Sequence, residues 1–483
     1  MDHVRLLVVF LFLGHAFIMI NAYQGKDVYE NCRSTVKKWA AASADFEEKE
    51  NKHILHDLLF FLHIPRTGGR TYFHCFLRNL YPTSAKCPLS YDKLRFDPRK
   101  TDCRLLVTHN DYSMMSKLPQ QRTSVVTILR NPIDRIFSTY EFSVEVAARY
   151  LDHPNLTSAT RMDGRIRKSK SVNTLDIWPW KYLVPWMRAD LFSRRDAREQ
   201  SLPPYSRGSD PYNMEDIVIP LHEYINDPIA RDIIHNGATF QIAGVTNNSY
   251  LDESHKVRQC VLRHETLGKY VLEVAKNRLK NMLYVGITED HKESATMFAN
   301  VVGAQVIFQS LTSNRSDPAN YNKSDSVSDT SHLVVGQNTS INPVNNSEAT
   351  YENMSVEKLI GSYESCSSNL RKTQSGRRSS SFKRLSPANF TKEARLGVPD
   401  SIIQEIKSLN KLDMELYEYA RNIFSDQHKK FEQLVVAEER KKSTWVYYPY
   451  DGKNILWLCA SIVVVMFLFV SARRRRMLLK LKI

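Results

Sequence analysis

The segment Leu58–Thr71, LLFFLHIPRTGGRT, constrains the fold of this chain more than any other stretch. It opens with an apolar run and passes into a turn that contains Pro65 and the pair Gly68-Gly69. An uninterrupted apolar run of this length is typical of a parallel strand that is covered on both faces. The next residues, 72–80, place their apolar side chains along one helical face. The segment therefore predicts a buried strand, a tight turn and a helix.

The turn between this strand and this helix predicts an anion-binding site. Backbone N–H groups at a helix N-terminus point toward one spot, and the helix dipole is positive there. Arg66, Thr67, Arg70 and Thr71 add positive charge and hydroxyl groups. The turn lacks the Gly-Lys-Ser/Thr ending of a Walker A loop, so a purely structural turn is the alternative interpretation.

Two further segments predict polar side chains at the ends of neighbouring strands. Leu105–Val107 forms a short apolar strand, and His109 lies just beyond its end. Ser124–Leu129 forms a β-branched strand that ends at Arg130, and the helix after it carries Ser138 about two turns from its start. Open parallel α/β sheets bind their ligands outside the carboxyl ends of the strands. The three segments together predict such a site.

In this order, the motifs resemble those of a known family. Arg66–Thr71 resembles the 5′-phosphosulfate loop of Golgi sulfotransferases, and the segment 129–138 resembles their 3′-phosphate site. His109–Tyr112 resembles the catalytic-histidine segment of the heparan sulfate 6-O-sulfotransferases. The resemblance covers residues 58–307 and 399–433. At position 66 the chain has arginine where many members have lysine, and arginine is a rigid fork rather than a movable point charge.

The resemblance implies an α/β fold whose core is a three-layer parallel sheet of the P-loop-like sulfotransferase type. It implies 3′-phosphoadenosine 5′-phosphosulfate (PAPS) as the co-substrate and a reaction without a metal. The residues that it implies for PAPS binding are Arg66, Thr67, Gly68, Gly69, Arg70, Thr71, Arg130 and Ser138.

The resemblance also implies two catalytic residues. Arg66 would stabilise the charge that builds up on the leaving oxygen, and His109 would accept the proton of the acceptor hydroxyl as general base. A histidine that ends a strand and is hydrogen-bonded locally is the alternative interpretation of His109. His63, within the first strand segment, and His74, on the following helix, are interpreted as structural.

The two ends of the chain predict a membrane protein of the secretory pathway. Residues 1–22 combine Arg5, an apolar run and a small-residue ending, as a signal peptide does. Residues 455–472 carry no charge and precede four arginines, which predicts a short membrane span with a cytosolic tail. A short span suits the Golgi membrane. This single-pass type I arrangement, with a lumenal catalytic domain, resembles the plant-type tyrosylprotein sulfotransferases and favours a tyrosine acceptor.

Composition changes divide the rest of the chain. The stretch 312–386 is rich in Ser, Asn and Asp and poor in aromatic residues, which predicts a disordered, glycosylated insertion. Asn-x-Ser/Thr sequons occur at Asn155, Asn247, Asn314, Asn322, Asn338, Asn345, Asn353 and Asn389. The predicted divisions are a signal peptide (1–22), the main part of a lumenal sulfotransferase domain (23–311), the insertion (312–386), the C-terminal helix of that domain (387–440), a juxtamembrane stem (441–454), a transmembrane helix (455–472) and a basic cytosolic tail (473–483).

Charge and cysteine content indicate the partners and the compartment. The net charge of +15 favours acidic partners, and a lumenal location argues against nucleic acid. Of the seven cysteines, only Cys459 lies in the predicted span. The others can form disulfides in an oxidising compartment, but their pairing does not follow from the sequence.

Taken together, the resemblance implies sulfuryl transfer from PAPS to tyrosine hydroxyls of acidic, secreted peptide precursors in the Golgi lumen. A heparan-type glycan 6-O-sulfotransferase is the alternative enzyme. A lumenal kinase or nucleotidase would use ATP with a divalent metal, and no Walker B pair accompanies the loop. A non-catalytic type I receptor or lectin would need no ordered phosphate sites.

Overall fold

The structure is a computed structural model, and it describes residues 27–43, 53–87, 103–152, 210–213, 219–315, 354–382, 390–446 and 452–480. The predicted signal peptide at 1–22 lies outside the described residues, as do several of the predicted sequons. The chain divides into two compact units, residues 1–424 and 425–483. The candidate site lies in the first unit.

A four-stranded parallel sheet forms the centre of the first unit. Its strands are β1 (Leu58–Leu62), β2 (Leu105–Thr108), β3 (Thr123–Leu129) and β4 (Tyr284–Ile287), and they lie in the order β2-β1-β3-β4. Every residue of β1, β3 and β4 is buried. Continuous apolar strands form such a sheet because helices cover both of its faces. The predicted parallel α/β sheet is therefore confirmed, and the first three strands lie within a residue of their predicted bounds.

The described part of the chain contains ten longer helices. Their bounds are α1 (27–43), α2 (69–80), α3 (Pro132–Asp152), α4 (Asp252–Arg263), α5 (Gly268–Lys280), α6 (291–315), α7 (Val356–Phe382), α8 (Asp400–Leu409), α9 (Lys411–Val446) and α10 (Gly452–Lys480). Two of them contain a π-helical turn, at Phe73–Leu77 in α2 and at Ala299–Gly303 in α6. Four short helices, Leu221–Tyr224, Arg231–Ile234, Gly237–Ile242 and Lys392–Leu396, occupy the connections.

The stretch 312–386 was predicted to be a disordered insertion, but most of its second half is a helix in the structure. Residues 356–382 form α7, which packs on α2 and α3. Leu359 and Tyr363 of α7 are buried, and the Tyr363 ring stacks on Phe76 of α2 at a centroid distance of 4.0 Å. Composition misled the prediction because this helix needs few apolar residues when a disulfide attaches it to the domain.

The C-terminal helix of the domain, predicted at 387–440, is divided in the structure. The region forms the short helix Lys392–Leu396 and two longer helices, α8 and α9, which are separated at Asn410. The side chain of Asn410 is buried and donates to Ile406 O at 2.9 Å, and it accepts from Asn236 N at 3.0 Å. The break places Asp413 at the start of α9, where it points into the domain core.

The predicted membrane span at 455–472 is wrong. It falls within α10, and none of the helices in the described part of the chain has both the length and the apolar character that a bilayer crossing requires. The apolar run has about the minimum length for a span. The helix does not end with that run but continues through Arg473–Arg476.

Three disulfides connect parts of the first unit, and two of them join residues that are more than 200 positions apart in sequence. They join Cys32 to Cys260, Cys75 to Cys366, and Cys87 to Cys103. The first attaches α1 to α4, the second attaches α7 to α2, and the third closes a loop of which both ends lie beside β2. All six cysteines that the sequence places outside the predicted span are therefore paired.

Candidate active site

The sheet order puts the candidate site at the tips of β1, β2 and β3. From β1 the chain crosses first to β2 on one side and then to β3 on the other. The loops after β1 and β3 therefore diverge, and a crevice opens between the two strand tips. In doubly wound sheets such a switch point is where ligands bind. Thr127 of β3 fastens this junction by donating to Leu62 O at 2.8 Å.

The loop after β1, Arg66–Thr71, has the backbone of an anion cradle, and we call it the anion loop. Arg66 and Gly68 both have positive φ, at 69° and 85°, and Gly68 caps the N-terminus of α2. Left-handed residues in a tight turn form the concave arrangement of N–H groups that binds anions. A positive φ is uncommon for arginine and is concentrated at functional sites. The Thr67 hydroxyl donates to Ile64 O at 2.9 Å, so it closes the loop itself.

Arg66, Arg130 and Ser138, all predicted site residues, meet at the β1–β3 crevice. The Arg66 guanidinium donates to Ser138 Oγ from Nε at 3.2 Å and from Nη2 at 3.0 Å, and it lies 4.4 Å from the centre of the Phe142 ring. Arg130 Nη1 donates to Arg66 O at 3.3 Å. The Arg66 side chain therefore reaches the residue predicted for the 3′-phosphate. The resemblance had placed it at the 5′-phosphosulfate.

Burial and mutual repulsion shape the electrostatics of these arginines. Desolvation, together with the charges of Arg130 and Arg378, lowers the pKa of Arg66 to about 9. Desolvation also lowers the pKa of Arg130, against the opposing effect of Asp134 and Glu289. Arg130 Nε is buried and makes no hydrogen bond within the described part of the chain, and Glu289 lies 4.0 Å away. An incoming anion would stabilise both cations.

Thr288 links the two loops of the crevice and was not identified from the sequence. It follows β4, and its hydroxyl oxygen lies 2.8 Å from both Thr67 O and Leu129 O. A hydroxyl has one proton, so it donates to one of these carbonyl oxygens at a time. The contact holds the anion loop against the tip of β3.

His109 lies at the tip of β2 with a defined tautomer. Its Nδ1 is 2.8 Å from His63 O, and a carbonyl oxygen can only accept a hydrogen bond. Nδ1 therefore carries the proton, and Nε2 of the neutral ring has a lone pair that can accept one. Burial lowers the pKa of His109 to about 4, so the ring is neutral at physiological pH.

His63 belongs to the site, although its sequence position suggested a structural residue. Its ring stacks on the His109 ring at a centroid distance of 4.2 Å. A Cβ atom at Gly69 would collide with the His63 ring and would lie 2.8 Å from Phe61. His63 is thus held between the backbone of the anion loop and the imidazole of His109. The pair Gly68-Gly69 in the sequence signalled a close approach but did not reveal what approaches.

Gln241, from the short helix Gly237–Ile242, braces the tips of β1 and β2. Its Nε2 donates to His63 O at 3.2 Å and to His109 O at 2.9 Å. It thereby fixes the carbonyl that in turn orients His109. This contact spans more than a hundred residues, so no local sequence signal could have indicated it.

The segment after His109 is tied to a second loop at 246–250. Asp111 is buried and accepts hydrogen bonds from Thr246 N at 3.0 Å and Thr246 Oγ1 at 2.7 Å, as well as from Ser113. Asn248 Nδ2 donates to Asn110 Oδ1 at 2.8 Å. These contacts explain why Asn110 and Asp111 follow the histidine, because they fix the backbone that carries it.

Arg135 lies in the segment 129–138, which resembles a 3′-phosphate site, but its side chain has a structural role. Arg135 is fully buried and donates to Asp413 Oδ2 at 2.9 Å and to Ile233 O at 3.0 Å. It therefore attaches α3 to the start of α9. His74 is half-buried on α2, where burial, with Arg70 and Arg78, lowers its pKa to about 4.

No protein-family model matches the chain. A curated protein of Arabidopsis thaliana named protein-tyrosine sulfotransferase is 53% identical over 471 residues. The match covers 93% of this chain and 93% of that protein.

Proposed function

The chain belongs to the protein-tyrosine sulfotransferase family, and from this membership we propose that it transfers a sulfuryl group from PAPS to tyrosine hydroxyls of proteins or peptides. It is accordingly a transferase. The observation that carries the proposal is that Arg66 of the anion loop and the neutral, oriented imidazole of His109 lie at adjacent strand tips.

The arrangement supports an in-line displacement at sulfur. The phenol oxygen of the acceptor attacks the sulfur atom, and the bond between that sulfur and the bridging phosphate oxygen breaks. His109 Nε2 takes the phenolic proton, and adenosine 3′,5′-bisphosphate leaves with the negative charge. A tyrosine phenol has a pKa of about 10, so a positioned base assists its ionisation. Arg66 and the N–H groups of the loop would hold the donor and stabilise the charge on the leaving oxygen.

We propose roles for the site residues that combine the family resemblance with their positions. Arg130 and Ser138 would bind the 3′-phosphate, and the loop from Arg66 to Thr71 would bind the 5′-phosphosulfate. Arg66 reaches from that loop to Ser138, so its guanidinium can contact either phosphate group. Independence from metal stays a prediction of the resemblance.

We further propose that the acceptor carries acidic residues beside the tyrosine. Arg70 and Arg78 are exposed on α2, with the half-buried His74 between them. Lys86 lies beside Arg78, where its Nζ donates to Arg78 O at 3.0 Å. Arg70 is close enough to Arg66 and His63 to lower the pKa of each, so this basic flank begins at the transfer site. Acidic side chains are the complementary partner.

The proposed compartment is the lumen of the Golgi. Its support is that three disulfides join the domain, because disulfides persist in the oxidising secretory pathway. In this proposal residues 1–22 direct entry and the acceptors are secreted peptide precursors. Co-localisation of a tagged full chain with a Golgi marker tests it, and a diffuse cytosolic signal would contradict it.

Incubation of the full chain with sulfur-labelled PAPS tests the proposed activity. An acidic tyrosine peptide should become labelled, and the same peptide with phenylalanine in place of tyrosine should not. Desulfated heparan chains serve as the second acceptor, because the glycan 6-O-sulfotransferase interpretation predicts label there. Label on the glycan alone would refute the proposal. Replacing the acidic residues of the peptide by amides should raise its KM, and Arg78→Ala should reduce that difference.

A further inference from the structure

Helix α7 brings an additional arginine to the crevice. Arg378, near its C-terminal end, contacts two carboxylates of α3, with Nη2 3.3 Å from Glu141 Oε2 and Nε 3.6 Å from Glu145 Oε2. Glu141 lies one turn after Ser138 on the same helix. Arg378 therefore sits against the surface of α3 that also carries a predicted 3′-phosphate residue.

Glu141 is the centre of this arrangement. Its side chain is 4% exposed, and besides Arg378 it binds Arg395 at 2.6 Å and accepts from Tyr212 OH at 2.9 Å. A buried carboxylate with three partners holds them in fixed positions. The orientation of the Arg378 guanidinium is thus set by the protein.

Arg66 and Arg130 carry like charges beside Ser138, and Arg378 contacts the same helix, α3, one turn further along. Arg66 donates directly to Ser138, and Arg130 donates to the carbonyl of Arg66. Both Arg130 and Arg378 disfavour the charged form of Arg66. Arg66 and Arg130 repel each other in a partly buried crevice, and a dianionic phosphate would supply their counter-charge. The charge of Arg378 is already balanced by Glu141 and Glu145. A guanidinium has five donors in a planar fork, so Arg378 can bind two carboxylates and a phosphate together.

The disulfide Cys75–Cys366 fixes α7 in this position. Cys75 lies in the π-helical turn of α2, the helix that begins at the anion loop. Cys366 and the stacked pair Tyr363 and Phe76 attach α7 to that turn. The same helix then runs on to Arg378. The disulfide therefore links the helix that follows the anion loop, α2, to the helix that carries Arg378, α7.

We propose that Arg378 completes the 3′-phosphate subsite, with Glu141 as the residue that positions it. The proposal rests on the proposed function, since it concerns the nucleotide of that reaction. Helix α7 then helps the protein to distinguish adenosine 3′,5′-bisphosphate from nucleotides that lack the 3′-phosphate.

Isothermal titration of the full chain with two nucleotides tests the proposal. Adenosine 3′,5′-bisphosphate and adenosine 5′-monophosphate share every group except the 3′-phosphate. Arg378→Ala should weaken binding of the bisphosphate about tenfold to a hundredfold, the effect of a lost charge-assisted contact, and change binding of the monophosphate less than twofold. Arg378→Lys should recover part of the loss, because it keeps the charge without the planar fork.

Arg371→Ala is the matched control. Arg371 is an exposed arginine of the same helix, and it affects His291 and Tyr363 rather than the crevice. It should leave both affinities unchanged. Glu141→Gln should weaken binding of the bisphosphate in the same direction as Arg378→Ala, and combining the two should give less than the sum of their separate losses.

The outcomes separate this inference from the proposed function. Wild-type protein that does not discriminate the bisphosphate from the monophosphate would refute both. Wild-type discrimination that persists in Arg378→Ala would refute the role of Arg378 alone. An equal loss for both nucleotides would also refute it, because that result indicates a general disturbance of the crevice.

Discussion

Breaking the buried pair Arg135 and Asp413 should strongly destabilise the first unit. Both side chains are 1% exposed. Asp413 accepts from Arg135 Nη2 at 2.9 Å, from Thr239 N and Oγ1 at 2.7 Å each, and from Ala238 N at 3.2 Å. Each carboxylate oxygen accepts two of these hydrogen bonds. Asp413→Asn removes the charge and places an NH2 group at one of the two oxygen positions, where two donors point. Arg135 is then left as a buried charge without compensation.

The expected magnitude follows from the burial of the pair. Removing one partner of a buried, hydrogen-bonded ion pair costs about 3–5 kcal/mol. For a unit of this size, that loss should lower the melting temperature by about 3–6 °C. Thermal unfolding followed by circular dichroism, together with urea titration, measures both quantities on the full chain.

The exposed pair Glu418 and Arg421 supplies the control. It lies on the same helix, α9, at 3.6 Å, and both side chains are more than half exposed. Glu418→Gln should change the free energy of unfolding by no more than about 1 kcal/mol. If Asp413→Asn costs no more than this control, the argument from burial is wrong. The double change Arg135→Met with Asp413→Leu should recover much of the loss, because it removes both buried charges.

Further predictions concern the site. His109→Asn should lower kcat about a hundredfold to ten-thousandfold and leave the affinity for adenosine 3′,5′-bisphosphate within twofold, as measured by initial rates and titration. Burial lowers the pKa of His109 to about 4, so its basic form persists below pH 6.5. The acid limb of the kcat/KM profile should therefore lie near pH 4. An acid limb near pH 6.5 would contradict this effect of burial on His109. Gly69→Ala should push His63 against His109 and lower kcat at least about tenfold, whereas Gly361→Ala, with open space around it, should not. Replacing Cys75 and Cys366 together by serine should destabilise the protein by about 2–5 kcal/mol in calorimetry and weaken bisphosphate binding.

The sequence allowed the sheet and much of the site to be predicted because those features are local. Leu58–Leu62 and Thr123–Leu129 are buried on both faces, and continuous apolar runs signal this directly. The polar residue after each strand then lies at a common edge. For the same reason Arg66, Arg130 and Ser138 could be expected to meet.

What the sequence could not reveal depends on contacts between distant residues. Gln241 braces His63 and His109 across the chain, and Thr288 joins two loops through one hydroxyl. Helix α7 has the composition of a disordered segment, yet a disulfide and a few buried rings hold it in place. The predicted membrane span failed because a run of apolar residues was interpreted without the helix that contains it.

The pairing of the cysteines imposes an order on biosynthesis. Cys87 and Cys103 are 16 residues apart, so both emerge from the ribosome almost together. Cys75 must wait for a partner 291 residues later, which at 5–20 residues per second means a delay of about 15–60 s. During that interval its thiol is exposed to wrong partners nearby. The nascent chain should therefore depend on a disulfide isomerase, and a chain that is truncated before residue 366 should leave Cys75 unpaired.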